Sequence, residues 1–156
     1  MDCAIPETRE RIDDEIIPET AEQSKSYEEN ELQFSAKHAI DLNWDTLSFT
    51  SAGPDGKSWL KIKLSQVHCV QQVIWYNSDG NPLFTWTCSQ TDCACSEQCG
   101  YFGCFCNWYT LTVSSEGTAP NDRTSGCKYA DTVTVERKHG DWFDVYEIAI
   151  TGQQGK

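Results

Sequence analysis

From about Ala36 onward the chain alternates apolar and polar positions in short runs. They are Trp59-Leu60-Lys61-Ile62-Lys63-Leu64, Val70 to Tyr76, Tyr109-Thr110-Leu111-Thr112-Val113, Thr132-Val133-Thr134-Val135 and Val145-Tyr146-Glu147-Ile148-Ala149-Ile150. Successive side chains of a strand point to opposite faces, and β-branched and aromatic residues suit a pleated, half-buried surface, so each run predicts a strand. Turn formers separate them: Gly53-Pro54-Asp55-Gly56, Asn77-Ser78-Asp79-Gly80-Asn81-Pro82 and Lys138-His139-Gly140-Asp141. No stretch past residue 36 sustains a period of 3.6. The pattern predicts an all-β, antiparallel sandwich or jelly roll dressed by long loops.

Ahead of that body lie residues rich in carboxylates and poor in large apolar side chains. Residues 1–21 are therefore expected to be a mobile acidic leader, 22–152 the domain and 153–156 a tail. The 156 residues suffice for one packed domain. Twelve Lys and Arg against 24 Asp and Glu leave a net charge of −12, which excludes the basic patch a nucleic-acid binder needs. No apolar run approaches the roughly 20 residues of a membrane-spanning helix. With six Trp, six Tyr and six Phe the chain is rich in core-forming residues, so acidity does not imply disorder throughout. Trp44, Trp59, Trp75 and Trp142 are expected to pack in the core or at its edge.

Nine cysteines change the picture of the compartment. Six fall as Cys88-x4-Cys93-x-Cys95-x3-Cys99-x4-Cys104-x-Cys106, with Cys3, Cys69 and Cys127 outside the run. Two separated Cys-x-x-Cys pairs, the common zinc signature, are missing, and the reading is a disulfide knot in a secreted, extracellular protein. A soft-metal thiolate cluster is the alternative, favoured by the two Cys-x-Cys pairs. Nine is odd, and Cys3 in the leader is the cysteine expected to stay free or to bridge two chains into a disulfide-linked oligomer. The amino terminus shows neither a basic stretch nor an apolar export segment, which suits a mature or trimmed domain bearing an initiator Met1; a cytosolic location stays open.

One loop carries hard oxygen ligands. Within His38-Ala39-Ile40-Asp41-Leu42-Asn43-Trp44-Asp45-Thr46 a carboxylate, an amide and a hydroxyl stand at n, n+2 and n+5. Calcium takes six to eight oxygens, so a second segment has to contribute, and Glu147 in the last strand is the donor expected. On periodicity alone Asp41 and Asn43 also read as turn formers and Glu147 as a solvated strand residue.

These residues resemble a family. Ala39-Ile40-Asp41-x-Asn43-x-x-Thr46 resembles the Ala-x-Asp-Gly-Asn-x-x-Thr loop of discoidin or coagulation factor type C domains, which are related to F-type lectins and galactose-binding modules. Trp59 to Leu64, Val70-x-x-Val73-Ile74-Trp75-Tyr76-Asn77 and Val145-Tyr146-Glu147-Ile148-Ala149-Ile150-Thr151-Gly152 resemble three of their strands, in the same order, across roughly residues 22 to 152. The resemblance implies an eight-stranded jelly roll with first and last strands close together and a structural calcium ion joining the early loop to the last strand. Its implied ligands are the backbone oxygens of His38, Asn43 and Tyr146, the side chains of Asp41 and Glu147 and the oxygens of Thr46. Leu42 replaces the family's glycine, so a different backbone angle is expected there, because a branched residue avoids positive φ.

The likeness stops at the sugar site. Asn77-Ser78-Asp79-Gly80 stands where the lectins carry an Arg-rich turn, and no His lies between Asp45 and Trp59. A Cys-rich insertion, residues 78–107, occupies the end of the barrel where the family's loops bind ligands. Its aromatics and the polar loop residues give the expected ligand set Asn77, Asp79, Asn81, Trp86, Tyr101 and Phe102, with a small satellite core under the loop as the other use of the aromatics. No nucleophile elbow and no Gly-rich phosphate loop is present, so an enzyme is not expected. The function expected is a non-catalytic binding or adhesion module for a glycan or a cell-surface protein. A calcium-dependent lectin and a disulfide-assembled structural protein are the alternatives.

Overall fold

A computed structural model of the chain describes residues 8–76, 80–88, 93–97, 99–100, 103–104, 109–115, 126–137 and 142–154. Eleven strands occur among them. They are β1 (Thr20–Gln23), β2 (Ser48–Ser51), β3 (Trp59–Tyr76), β4 (Pro82–Cys88), β5 (Cys93–Glu97), β6 (Cys99–Gly100), β7 (Gly103–Cys104), β8 (Tyr109–Ser114), β9 (Lys128–Arg137), β10 (Trp142–Val145) and β11 (Glu147–Gln154). Four of them, β4 to β7, lie within the expected insertion, residues 78–107.

All pairings between strands are antiparallel, and β3 organises them. Its first half lies between β1 and β9, and its second half between β11 and β4. The two expected strands Trp59–Leu64 and Val70–Tyr76 are thus one 18-residue strand, with a register shift between Lys63 and His68. The second layer is the β2–β10 pair. Alternation fills the space between: Leu60, Ile62, Val73, Trp75, Val133, Val135, Phe143, Val145, Ile148 and Ile150 form one buried cluster. The Phe143 ring lies 5.9 Å from Trp75 and 5.4 Å from Tyr109, an aromatic joint between the layers.

Trp142 departs from expectation. It is 51% exposed, because β10 turns Phe143 and Val145 inward and so turns Trp142 out, against Phe49 and beneath the Arg137 guanidinium. Trp75 is in the core, and Trp44 and Trp59 are half-buried.

From Thr8 onward the leader is hydrogen-bonded to the body of the domain. The Ile16 amide donates to the Ile150 carbonyl at 2.7 Å, the Gly152 amide to Asp14 at 3.0 Å, and the Glu19 amide to Lys63 at 2.8 Å. The first two cover the free edge of β11, a standard way to protect a strand edge, and the third leads into the pairing of β1 with β3. Ile16 and Ala21 join the main core.

One disulfide, Cys69–Cys127, ties the middle of β3 to the residue before β9, and Cys88 is disulfide-bonded as well. These three cysteines are therefore not thiolate ligands. In the insertion, Cys88 faces Cys93 across β4–β5 and Cys99 faces Cys104 across β6–β7. Cys3 and Cys106 lie outside the described residues.

Candidate functional site

The Asp41–Thr46 loop is built by its own side chains. The Asp41 carboxylate accepts from the Asn43 amide at 3.0 Å and from the Thr46 hydroxyl at 2.6 Å, and the Asn43 side chain accepts from the Asp45 amide at 2.9 Å. The Thr46 hydroxyl also lies 3.2 Å from the Asn43 carbonyl. His38 anchors the start of the loop, its Nδ1 lying 3.1 Å from the Leu47 carbonyl oxygen. Leu42 takes φ +61°, so the different backbone angle expected of a branched residue is not adopted and the loop keeps a left-handed residue. This conformation costs a non-glycine residue about 1 kcal/mol. Leu42→Gly is therefore expected to raise stability by up to about 1 kcal/mol in urea unfolding, offset in part by the lost side-chain packing.

Glu147 opens β11 directly beneath this loop and is fully buried. Strand alternation puts it with Ala149 and Thr151 on the outer face of β11, which the leader covers. Its Oε1 accepts from Arg9 Nε at 2.8 Å, and its Oε2 is buried with no hydrogen-bond partner. Arg9 turns its other two nitrogens to Glu15, both at 2.8 Å, and lies over the Tyr76 ring at 5.6 Å. Arg11, one-third exposed, reaches Glu15 from outside at 3.2 Å.

The buried trio sets the Arg9 cation between two carboxyl groups, Glu15 and Glu147, with the exposed Asp41 carboxylate beside it. Burial pushes Glu147 up to about 8 against the opposing pull of Arg9, and the nearby Asp41 carboxylate adds to the rise. Burial also works against the charge on Arg9, but Glu15 and Glu147 outweigh it and hold the guanidinium above its usual range. A buried, unpartnered carboxylate oxygen calls for a proton or a cation. Without a cation, Glu147 is raised in the folded state relative to the ordinary value of 4.5. The folded state then binds the proton more tightly, so its contribution is complete below about pH 4.5 and is lost as pH rises through about 8. In chelator, urea unfolding is expected to show stability falling by a few kcal/mol across that window.

A third segment meets the loop. Trp44 packs edge-on against Tyr76 at 5.7 Å, and a Cβ at Gly80, φ +83°, would lie 3.7 Å from the Trp44 ring. The β3–β4 turn, with exposed Asn81, therefore adjoins the Asp41–Thr46 loop. Loop, turn and the start of the last strand share one end of the barrel.

No protein-family model matches the chain, and no curated protein does. Solved structures do. A chitosan-binding module from a chitosanase/glucanase of Paenibacillus sp. IK-5 aligns with a TM-score of 0.51 at 17% identity, covering 88% of this chain and 96% of the module. An F5/8 type C domain from Bacteroides fragilis gives 0.50 at 14% identity, covering 92% and 99%. A fucolectin from striped bass (Morone saxatilis) serum gives 0.52 at 13% identity, covering 88% of this chain and 46% of the lectin. The fold is galactose-binding-domain-like.

Within this galactose-binding-like fold, the expected cation residues His38, Asp41, Asn43 and Thr46 share one loop, and Tyr146 and Glu147 lie at the strand that closes under it. The expected ligand residues divide. Asn81, which follows Gly80, is exposed, whereas Trp86 is only 7% exposed and belongs to the core. It is no stacking platform, because β4 turns Trp86 and Cys88 inward and Thr85 and Thr87 outward. Asn77, Asp79, Tyr101 and Phe102 lie outside the described residues. Arg9 and Glu15 were not anticipated. Their signal is slight: Arg9 and Arg11 are the only basic residues in a leader otherwise full of carboxylates.

Proposed function

We propose that the chain is a non-catalytic, extracellular glycan-binding module whose barrel is clasped by calcium at the end where it binds. The carrying observation is the meeting of the Asp41 and Glu147 carboxylates, 106 positions apart in sequence (147 − 41), with Glu147 Oε2 buried and unpartnered. That donor set is hard oxygen throughout, which suits calcium. The Asp41 and Glu147 side chains, the Thr46 hydroxyl and the backbone oxygens of His38, Asn43 and Tyr146 would hold the ion. Calcium would displace the Glu147 proton and fix the loop against the last strand.

Trp44 and Asn81 flank this end and would take part in sugar contact, the ring by stacking and the amide by hydrogen bonding. A net charge of −12 favours neutral or amine-bearing glycans over sulfated or uronic ones. A glycan array run with calcium and with chelator tests the reading. Dose-dependent binding of neutral or amino sugars, abolished by chelator and weakened at least tenfold by Asn81→Ala, is the expected result. Silence across the array in calcium overturns it.

A further inference from the structure

We propose that Arg9 and Glu15 are positioning residues of the cation site, and that residues 8–16 form its third wall, docking more tightly when a divalent cation is bound. The inference rests on the calcium reading above and extends it to a segment outside the proposed ligands.

Three observations carry it. First, the leader bonds to both halves of the site. The Arg9 amide donates to the Leu42 carbonyl at 2.6 Å and Thr8 bridges Asn43, which holds the loop. Glu15 bridges Thr151 and the Ile16 amide reaches Ile150, which holds the last strand. Second, Arg9 binds one oxygen of Glu147 and leaves the other free, so it fixes the carboxylate plane with Oε2 available to a cation. Hydrogen bonds that orient a ligating carboxylate are commonly worth about 10- to 100-fold in metal affinity. Third, Glu15 arrives with Arg9 and cancels its charge through two 2.8 Å contacts, so the leader covers Glu147 without adding net positive charge next to the ion. Covering a carboxylate from water strengthens its attraction for a cation. Linkage then requires that the cation strengthen leader docking by the same factor.

The test is calorimetric calcium titration of the chelator-stripped full chain and its Arg9→Met and Glu15→Gln variants, with amide hydrogen exchange of residues 8–16 and of β9 followed with and without calcium. Wild type is expected to bind one calcium ion. Both variants should bind at least tenfold more weakly while circular dichroism keeps the native β signature. In wild type, calcium should slow exchange over residues 8–16 at least tenfold and leave β9 unchanged. Equal affinity in wild type and Arg9→Met, or exchange over 8–16 indifferent to calcium, overturns the inference and leaves the calcium reading standing. Tighter binding by Arg9→Met would make the guanidinium a competitor and also overturn it. Absence of calcium binding by wild type removes the calcium reading, and the inference with it. If Arg9→Met fails to fold, Glu15→Gln and the wild-type exchange data decide.

Discussion

Glu147→Ala is expected to destabilise the domain by about 1 to 3 kcal/mol in urea unfolding with chelator present, since it leaves a buried charged donor, Arg9 Nε, without its acceptor. Arg9 is only 5% exposed and would lose the acceptor of its Nε, with the guanidinium held in place by Glu15. The chelator matters, because it separates the ion pair from any contribution of bound calcium. A double variant, Arg9→Met with Glu147→Leu, should recover more than 1 kcal/mol relative to the sum of the single losses. A well-packed apolar replacement of a buried pair often costs little, whereas its broken halves cost much. Additive losses would mean that the two side chains do not depend on each other.

The second large effect concerns the disulfide. Cys69 and Cys127 are separated by 58 positions, and the closed loop contains the whole insertion. Restricting the unfolded chain over that length contributes about 4 kcal/mol. The Cys69→Ser, Cys127→Ser double variant is therefore expected to lower the urea midpoint severely while strand signatures persist at low urea. Cys69 and Cys127 are both buried, so the unbonded hydroxyls would add a desolvation cost. A loss below 1 kcal/mol would show that strand pairing alone holds β3 to β9.

Much of the architecture was legible because strands report themselves locally. Alternation in Trp59–Leu64 and in the last strand named the inward faces, but Glu147, which periodicity alone reads as a solvated strand residue, is fully buried. The fusion of two expected strands into β3 has a sequence signal: Ser65-Gln66-Val67-His68-Cys69 contains no Gly, Pro, Asn or Asp. Trp86 was misplaced for a related reason, since grouping it with loop aromatics ignored the alternation of Phe84-Thr85-Trp86-Thr87-Cys88. The leader was harder. Its packing depends on one buried arginine whose partners lie 6 and 138 residues away, and no window of sequence brings them together. Leu42 shows the opposite limit. Glycine preference is statistical, and the bonds made by Asp41, Asn43 and the Arg9 amide outweigh the cost of holding a leucine at positive φ.

The clasping of the barrel by a cation is tested most directly by amide chemical-shift mapping during calcium titration of the 15N-labelled, chelator-stripped chain. The account predicts saturable shifts at one equivalent, concentrated together on residues 38–46 and on Tyr146 and Glu147. Shifts confined to exposed carboxylates elsewhere, or none at millimolar calcium, would contradict it.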